Sequence, residues 1–192
     1  MKKASALLIC LILVAFSSGC AKKDVKYAEA PEKVNAETGA WEGNVYRGEF
    51  TGITFTLPSG CEKVSEDELL EAMGEKEGIT YDMMCQNENT GSHVMVSYEE
   101  LLKSAGTASI TEEDYLKIVS DNLYNMGFNV SDISETVLCG KTFYMVRAYG
   151  EGEGITVNQY SLVRREKGYM ISVIINAVNE GSFEDILNCF SE

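Results

Sequence analysis

A single histidine, His93, serves the whole of this 192-residue chain. Any Ser/His/Asp or Cys/His nucleophile system would have to run through it. It follows Gly91-Ser92 at the start of a strand-like segment, and no serine stands in a nucleophile elbow. His93 therefore reads as a turn-edge residue satisfied by water. Cysteines are present, but none stand in the closely spaced pairs that structural zinc sites use. Glu151-Gly152-Glu153-Gly154 lacks the acidic spacing and the closing glutamate of an EF-hand loop and reads as a hairpin turn. Positive charge is also short, with 16 Lys and Arg against 30 Asp and Glu and a net charge of −14. So acidic a surface repels nucleic acid and does not lie flat on anionic lipid. No catalytic, cofactor-binding or metal-ligating set is expected, and no cofactor.

The apolar run is short as well. Met1-Lys2-Lys3 is basic, Ala4 to Phe16 is uncharged and almost wholly apolar, and Ser17-Ser18-Gly19 places small residues ahead of Cys20. That is the layout of a secretory signal, and its apolar part falls short of the roughly 20 residues that span a bilayer. The segment resembles the lipobox of bacterial lipoproteins. This resemblance implies cleavage after Gly19, diacylglycerol on the Cys20 sulfur, and a further acyl chain such as palmitate on the new amino group. It departs from type at Ser17, where these proteins usually carry Leu. Each buried methylene contributes about 0.8 kcal/mol, so two long acyl chains hold firmly where one would not. Loss of Lys2 and Lys3 with the leader makes the mature chain more acidic still, which leaves the lipid to hold it at the membrane.

Residues 1–19 are thus expected as a signal peptide and 20–43 as a lipidated, charged, Ala/Glu-rich tether reaching about 25–30 Å as a flexible coil. Residues 44–192, about 150 in number, suit one domain. Within it Ser65-Glu66-Asp67-Glu68, Thr111-Glu112-Glu113-Asp114 and Ser182-Phe183-Glu184-Asp185 each carry the hydroxyl-then-acid signal of a helix start. The first helix brings Leu69, Leu70 and Met73 to its apolar face and stops at Gly74. The second brings Tyr115, Ile118, Val119, Leu123 and Met126 and stops at Gly127, and the third brings Ile186, Leu187 and Phe190. The segments between them read as strands: 45–50 with 53–57, 79–85 with 93–98, then 137–138, 142–149, 155–164 and 169–178. Turns are expected at Cys139-Gly140-Lys141 and Glu166-Lys167-Gly168. The fold class is α+β, a mostly antiparallel sheet of about six to seven strands covered by three helices.

The stretch Val45-Tyr46-Arg47-Gly48-Glu49-Phe50-Thr51-Gly52-Ile53-Thr54-Phe55-Thr56-Leu57-Pro58-Ser59-Gly60 resembles the domain entry of Gram-positive lipoproteins, two strands ending in Pro-x-Gly before an acidic helix. The element order is similar to the PsbP/Mog/DcrB-like fold, an α/β/α sandwich found in an extrinsic photosystem subunit, a Ran-binding protein and envelope lipoproteins. Here Cys61 stands where those lipoproteins usually have Trp. The resemblance implies a binding or accessory module without catalytic activity of its own. It carries over no functional residue.

Cys61, Cys85, Cys139 and Cys189 remain after Cys10 leaves with the leader and Cys20 takes lipid. An even number in an exported chain makes disulfides possible, with three connectivities open. Tyr144, Tyr149, Tyr160 and Tyr169 cluster in the C-terminal strands, where they could line a groove, but strand composition accounts for them more simply. The expected role is a lipid-anchored module on the extracytoplasmic face of the cell membrane, binding an envelope protein or a small-molecule ligand. The alternative is an envelope hydrolase using a pair of facing carboxylates of raised pKa.

Overall fold

The two strongest capping signals form helices where the sequence puts them. In the computed structural model, which describes residues 36–101, 106–152, 154–178 and 181–192, the Ser65 hydroxyl accepts from the Glu68 amide while the Glu68 carboxylate accepts from the Ser65 amide. This reciprocal box opens α1 (Glu66–Met73). Thr111 caps α2 (Glu112–Asn125) by accepting from the Asp114 amide. The leader, Cys20 and the tether as far as residue 35 lie outside the described residues. No helix among the described residues is long and apolar enough to cross a membrane.

In chain order the strands are β1 (Ala40–Glu42), β2 (Val45–Gly48), β3 (Ile53–Thr56), β4 (Glu62–Lys63), β5 (Ile79–Gln86), β6 (His93–Glu100), β7 (Asn129–Val130), β8 (Ser134–Leu138), β9 (Lys141–Gly152), β10 (Ile155–Glu166), β11 (Tyr169–Val178) and β12 (Phe190–Ser191), with α3 (Gly181–Leu187) before the last. Eight of them form a large antiparallel sheet in the order β4-β5-β6-β11-β10-β9-β7, with β8 beside β7 along the outer edge of β9. The remaining four make a small sheet, β1-β2-β3-β12. The α+β class with a mostly antiparallel sheet and three helices is the one expected.

Both faces of the large sheet are covered, which is why β10 and β11 are buried almost throughout and lack the alternation of a one-faced strand. On one face α1 lays Leu69 and Met73 over Met84 and Met95, and α2 lays Leu116, Val119 and Leu123 over Val146, Ala148 and Val163. On the other, Met83, Val96, Leu162, Ile171, Val173 and Ile175 pack against Tyr46, Ile53 and Phe55 of the small sheet and against Ile186 of α3. Two hairpins turn where expected. Cys139-Gly140 and Lys167-Gly168 each take two successive left-handed residues, with φ of 47° and 66° in the first and 45° and 86° in the second. That pair of conformations matches the right-handed twist of the flanking strands.

Three expectations are corrected. The folded part begins before Asn44: β1 pairs with β2, and Trp41 packs against Tyr46 and Phe55, because a tryptophan beside an apolar sheet gains more by burial than by staying in a tether. Phe190 does not extend α3. It sits in β12 opposite Phe55, their rings 4.8 Å apart. Leu70, Ile118 and Met126 are exposed, since each helix covers the sheet with a stripe narrower than its apolar set.

Candidate functional site

β4 pairs only with Cys85 and Gln86, so among the described residues Ile79 to Met83 have no strand on their outer side. At Asp82 the β5–β6 register slips by one residue, a bulge that frees its side chain from the ladder. Asp82 turns toward the small sheet, where Oδ1 accepts from the Gly39 amide at 2.7 Å and Oδ2 accepts from the Tyr46 hydroxyl. Burial pushes its carboxyl above the usual carboxylate range, against the lowering pull of those two donors. The same burial, reinforced by the Asp82 charge, drives the Tyr46 hydroxyl far up.

An open cleft of about 600 Å3 runs along this free edge, between α1 and the start of the small sheet. Trp41, Lys63, Leu69, Lys76, Tyr81 and Asp82 are among the residues that line it. The Lys63 ammonium lies over the Trp41 ring, 4.8 Å from its centroid. Ile79 and Tyr81 also wall a second cavity of about 60 Å3, in the trough that α1 and α2 leave over the centre of the sheet. Short side chains line it, Ser97 and Ser172 directly opposite each other across β6 and β11, and Ser161 of β10 diagonal to Ser172. Glu99 stands at its end and accepts from the Tyr115 hydroxyl at 3.1 Å. Burial raises the Glu99 carboxyl, while Tyr115 and the Lys76 charge lower it.

Asp82 and Glu99 are thus two raised carboxylates on opposite faces of one sheet. They do not make the facing pair that carboxylate hydrolysis requires. Each Asp82 oxygen already accepts a hydrogen bond, so the group acts as a clamp between sheets. His93 is similarly engaged: Nδ1 lies 3.3 Å from the Gly91 carbonyl and Nε2 lies 2.8 Å from Nδ2 of Asn176. That network assigns the proton to Nδ1, and burial holds the imidazole below its usual pKa.

The four domain cysteines are thiols. Cys61, Cys85 and Cys189 lie close enough to interact electrostatically, whereas Cys139 stands apart and donates to the Thr54 carbonyl at 3.6 Å. No group of three or more His, Cys, Asp or Glu among the described residues is arranged to hold a metal ion. The four tyrosines do not share a groove. Tyr144 lies on the α2 side, Tyr160 takes the Arg147 guanidinium over its ring on the other face, and Tyr169 packs edge-on with Phe50 and Tyr98. Gly39, Trp41, Tyr81 and Asp82 are the site residues that sequence reading missed. The available signal was an aspartate inside an apolar strand, followed by Met83-Met84-Cys85 without alternation, which marks a bulge.

No protein-family model matches this chain, and no curated protein is similar to it at a significant level. Solved structures are similar to it. Cyanobacterial PsbP (CyanoP) from Synechocystis sp. PCC 6803 aligns at 16% identity and a TM-score of 0.47, over 79% of this chain and 96% of that one. LpqN, involved in cell envelope biogenesis of Mycobacterium tuberculosis, aligns at 17% identity and 0.43, over 71% and 76%. The Saccharomyces cerevisiae Ran-binding protein Mog1p aligns at 14% identity and 0.39, over 70% and 76%.

Proposed function

We propose that this protein is a lipid-anchored, extracytoplasmic binding module without catalytic activity of its own, and that its ligand sits in the cleft beside the free edge of β5. The observation that carries this reading is the cleft itself. Its volume falls in the range of ligand sites, and convergent polar groups and a carboxyl of raised pKa stand at its floor. Lys63 and Lys76 offset Glu66, Glu75 and Asp82 around it, so the lining suits a small molecule bearing both hydrogen-bond donors and acceptors. Tyr81 stands between the cleft and the inner cavity, where a small group of the ligand would find hydroxyls and apolar walls. The anchor is supported by the small residues before Cys20 and by an acidic chain that needs help to stay at a membrane.

Two measurements test this. Mass analysis of the mature N-terminal peptide should find diacylglycerol on Cys20; an unmodified peptide that begins elsewhere would remove the anchor. A photoreactive residue in place of Trp41 should capture a small molecule in the native envelope, while one at exposed Val137 should not. Capture at Val137 alone, or turnover of a wall fragment by the purified protein, would overturn the binding reading.

A further inference from the structure

Strand register places Cys61 and Cys85 together. Lys63 pairs with Cys85, so Cys61, two residues earlier, points to the same face and stands diagonally across from Cys85. The two thiols are close enough to interact, and Cys61 adds to the rise of the Cys85 pKa. Gly60, at φ 81°, gives the chain before Cys61 room to adjust to bond geometry. Cys85 is 1% exposed at the edge of the main core, whereas Cys61 is half-buried and open to reagents. Cys189 packs against the same core from β12's side but is not hydrogen-bonded to either.

We propose that Cys61 and Cys85 are a disulfide-forming pair, oxidised by exchange with a disulfide donor outside the cytoplasm. The Cys61 thiolate attacks one sulfur of the donor, forming a mixed disulfide and releasing one donor thiol. The Cys85 thiolate then attacks the Cys61 sulfur, forming the internal bond and releasing the second donor thiol. Two protein thiols are oxidised, one donor disulfide is reduced to two thiols, and the two cysteine protons end on them. The bond ties the two-residue β4 to β5 and closes a loop that holds all of α1 and Asp82. Lys63, at the rim of the cleft, is thereby braced. The pairing does not depend on what the cleft binds. Burial pushes the Cys85 thiol up to about 12, so the second step quickens as pH rises.

The test uses the full chain, purified reduced and exposed to oxidised glutathione, then alkylated and digested. The expected product lacks two hydrogens and contains one linked peptide pair, Cys61 with Cys85. Cys61→Ser abolishes that link, Cys189→Ser leaves it intact, and Cys85→Ala, which puts no hydroxyl into the core, stops at a glutathione adduct on Cys61. A link from Cys61 to Cys189 or Cys139 overturns the proposal. So does a wild-type chain that keeps all four domain cysteines alkylatable, or that halts at the adduct.

Discussion

The carboxylate of Asp82 accepts a hydrogen bond from the hydroxyl of Tyr46, joining the bulge of the large sheet to the middle of the small one across 36 positions of sequence. Tyr46 is fully buried, and Gly39 and Gly48 leave the space its ring and hydroxyl fill. The bond is thus a fastening between layers, and the cleft wall at Gly39 depends on it.

Tyr46→Phe keeps the ring and removes the donor. A buried carboxyl that loses one partner should destabilise the fold by about 1–3 kcal/mol, read from urea unfolding. It should also raise the Asp82 pKa further, because the Tyr46 hydrogen bond is one of the two influences holding it down. A carboxyl titration followed by NMR that moves downward would contradict the clamp.

His93 makes stability depend on pH. Its folded pKa is lowered, first by burial, and the Gly91 hydrogen bond only partly opposes this. The unfolded chain therefore binds the proton more readily. The His93 contribution is complete above the unfolded value of about 6.5 and is lost as pH falls through the folded one, at up to about 1.4 kcal/mol per pH unit. His93→Gln should flatten the decline in urea midpoint below neutral relative to wild type. Parallel curves would place the titration elsewhere.

At the β10–β11 turn, Lys167 holds a left-handed conformation that asparagine adopts more readily before glycine. Lys167→Asn should stabilise by roughly 0.5–1 kcal/mol, visible as a higher melting temperature. A drop would mean that the Lys167 side chain contributes more than its backbone strain.

The Phe128 ring lies against Gly150 of β9, where an added Cβ would stand 2.8 Å from Cε1. Gly150→Ala should overpack this contact and cost about 1–3 kcal/mol. Gly43→Ala is not a fair control, because its φ of 58° strains any side chain. Ser131→Ala on the neighbouring segment controls for local effects, losing the hydroxyl's bonds with the Arg147 amide and the Asp132 carbonyl.

Much of this architecture is legible along the chain because its signals act within a few residues. Ser65 and Thr111 are capped by groups three positions away, and the Lys167-Gly168 turn is dictated by its own two conformations. Along the chain Phe190 continues the helical spacing of Ile186 and Leu187, and only the presence of Phe55 in β3 offers it a strand partner. Trp41 reads as tether for a similar reason: its neighbours in sequence are small or acidic, and its neighbours in space are Tyr46 and Phe55. The exposed Ile118 and Met126 show the converse, an apolar stripe wider than the surface available to cover it.

Sequence by itself determined the acidic surface, the helix starts, the hairpin turns and the α+β class, all set by local composition and short-range hydrogen bonding. Only tertiary structure decided that Asp82 meets Tyr46, that Cys61 meets Cys85, and that a short β4 leaves an open edge beside Trp41. Those relationships arise from register and from the packing of two sheets. A slip of one residue reverses every side chain of a strand, so no segment read alone contains them.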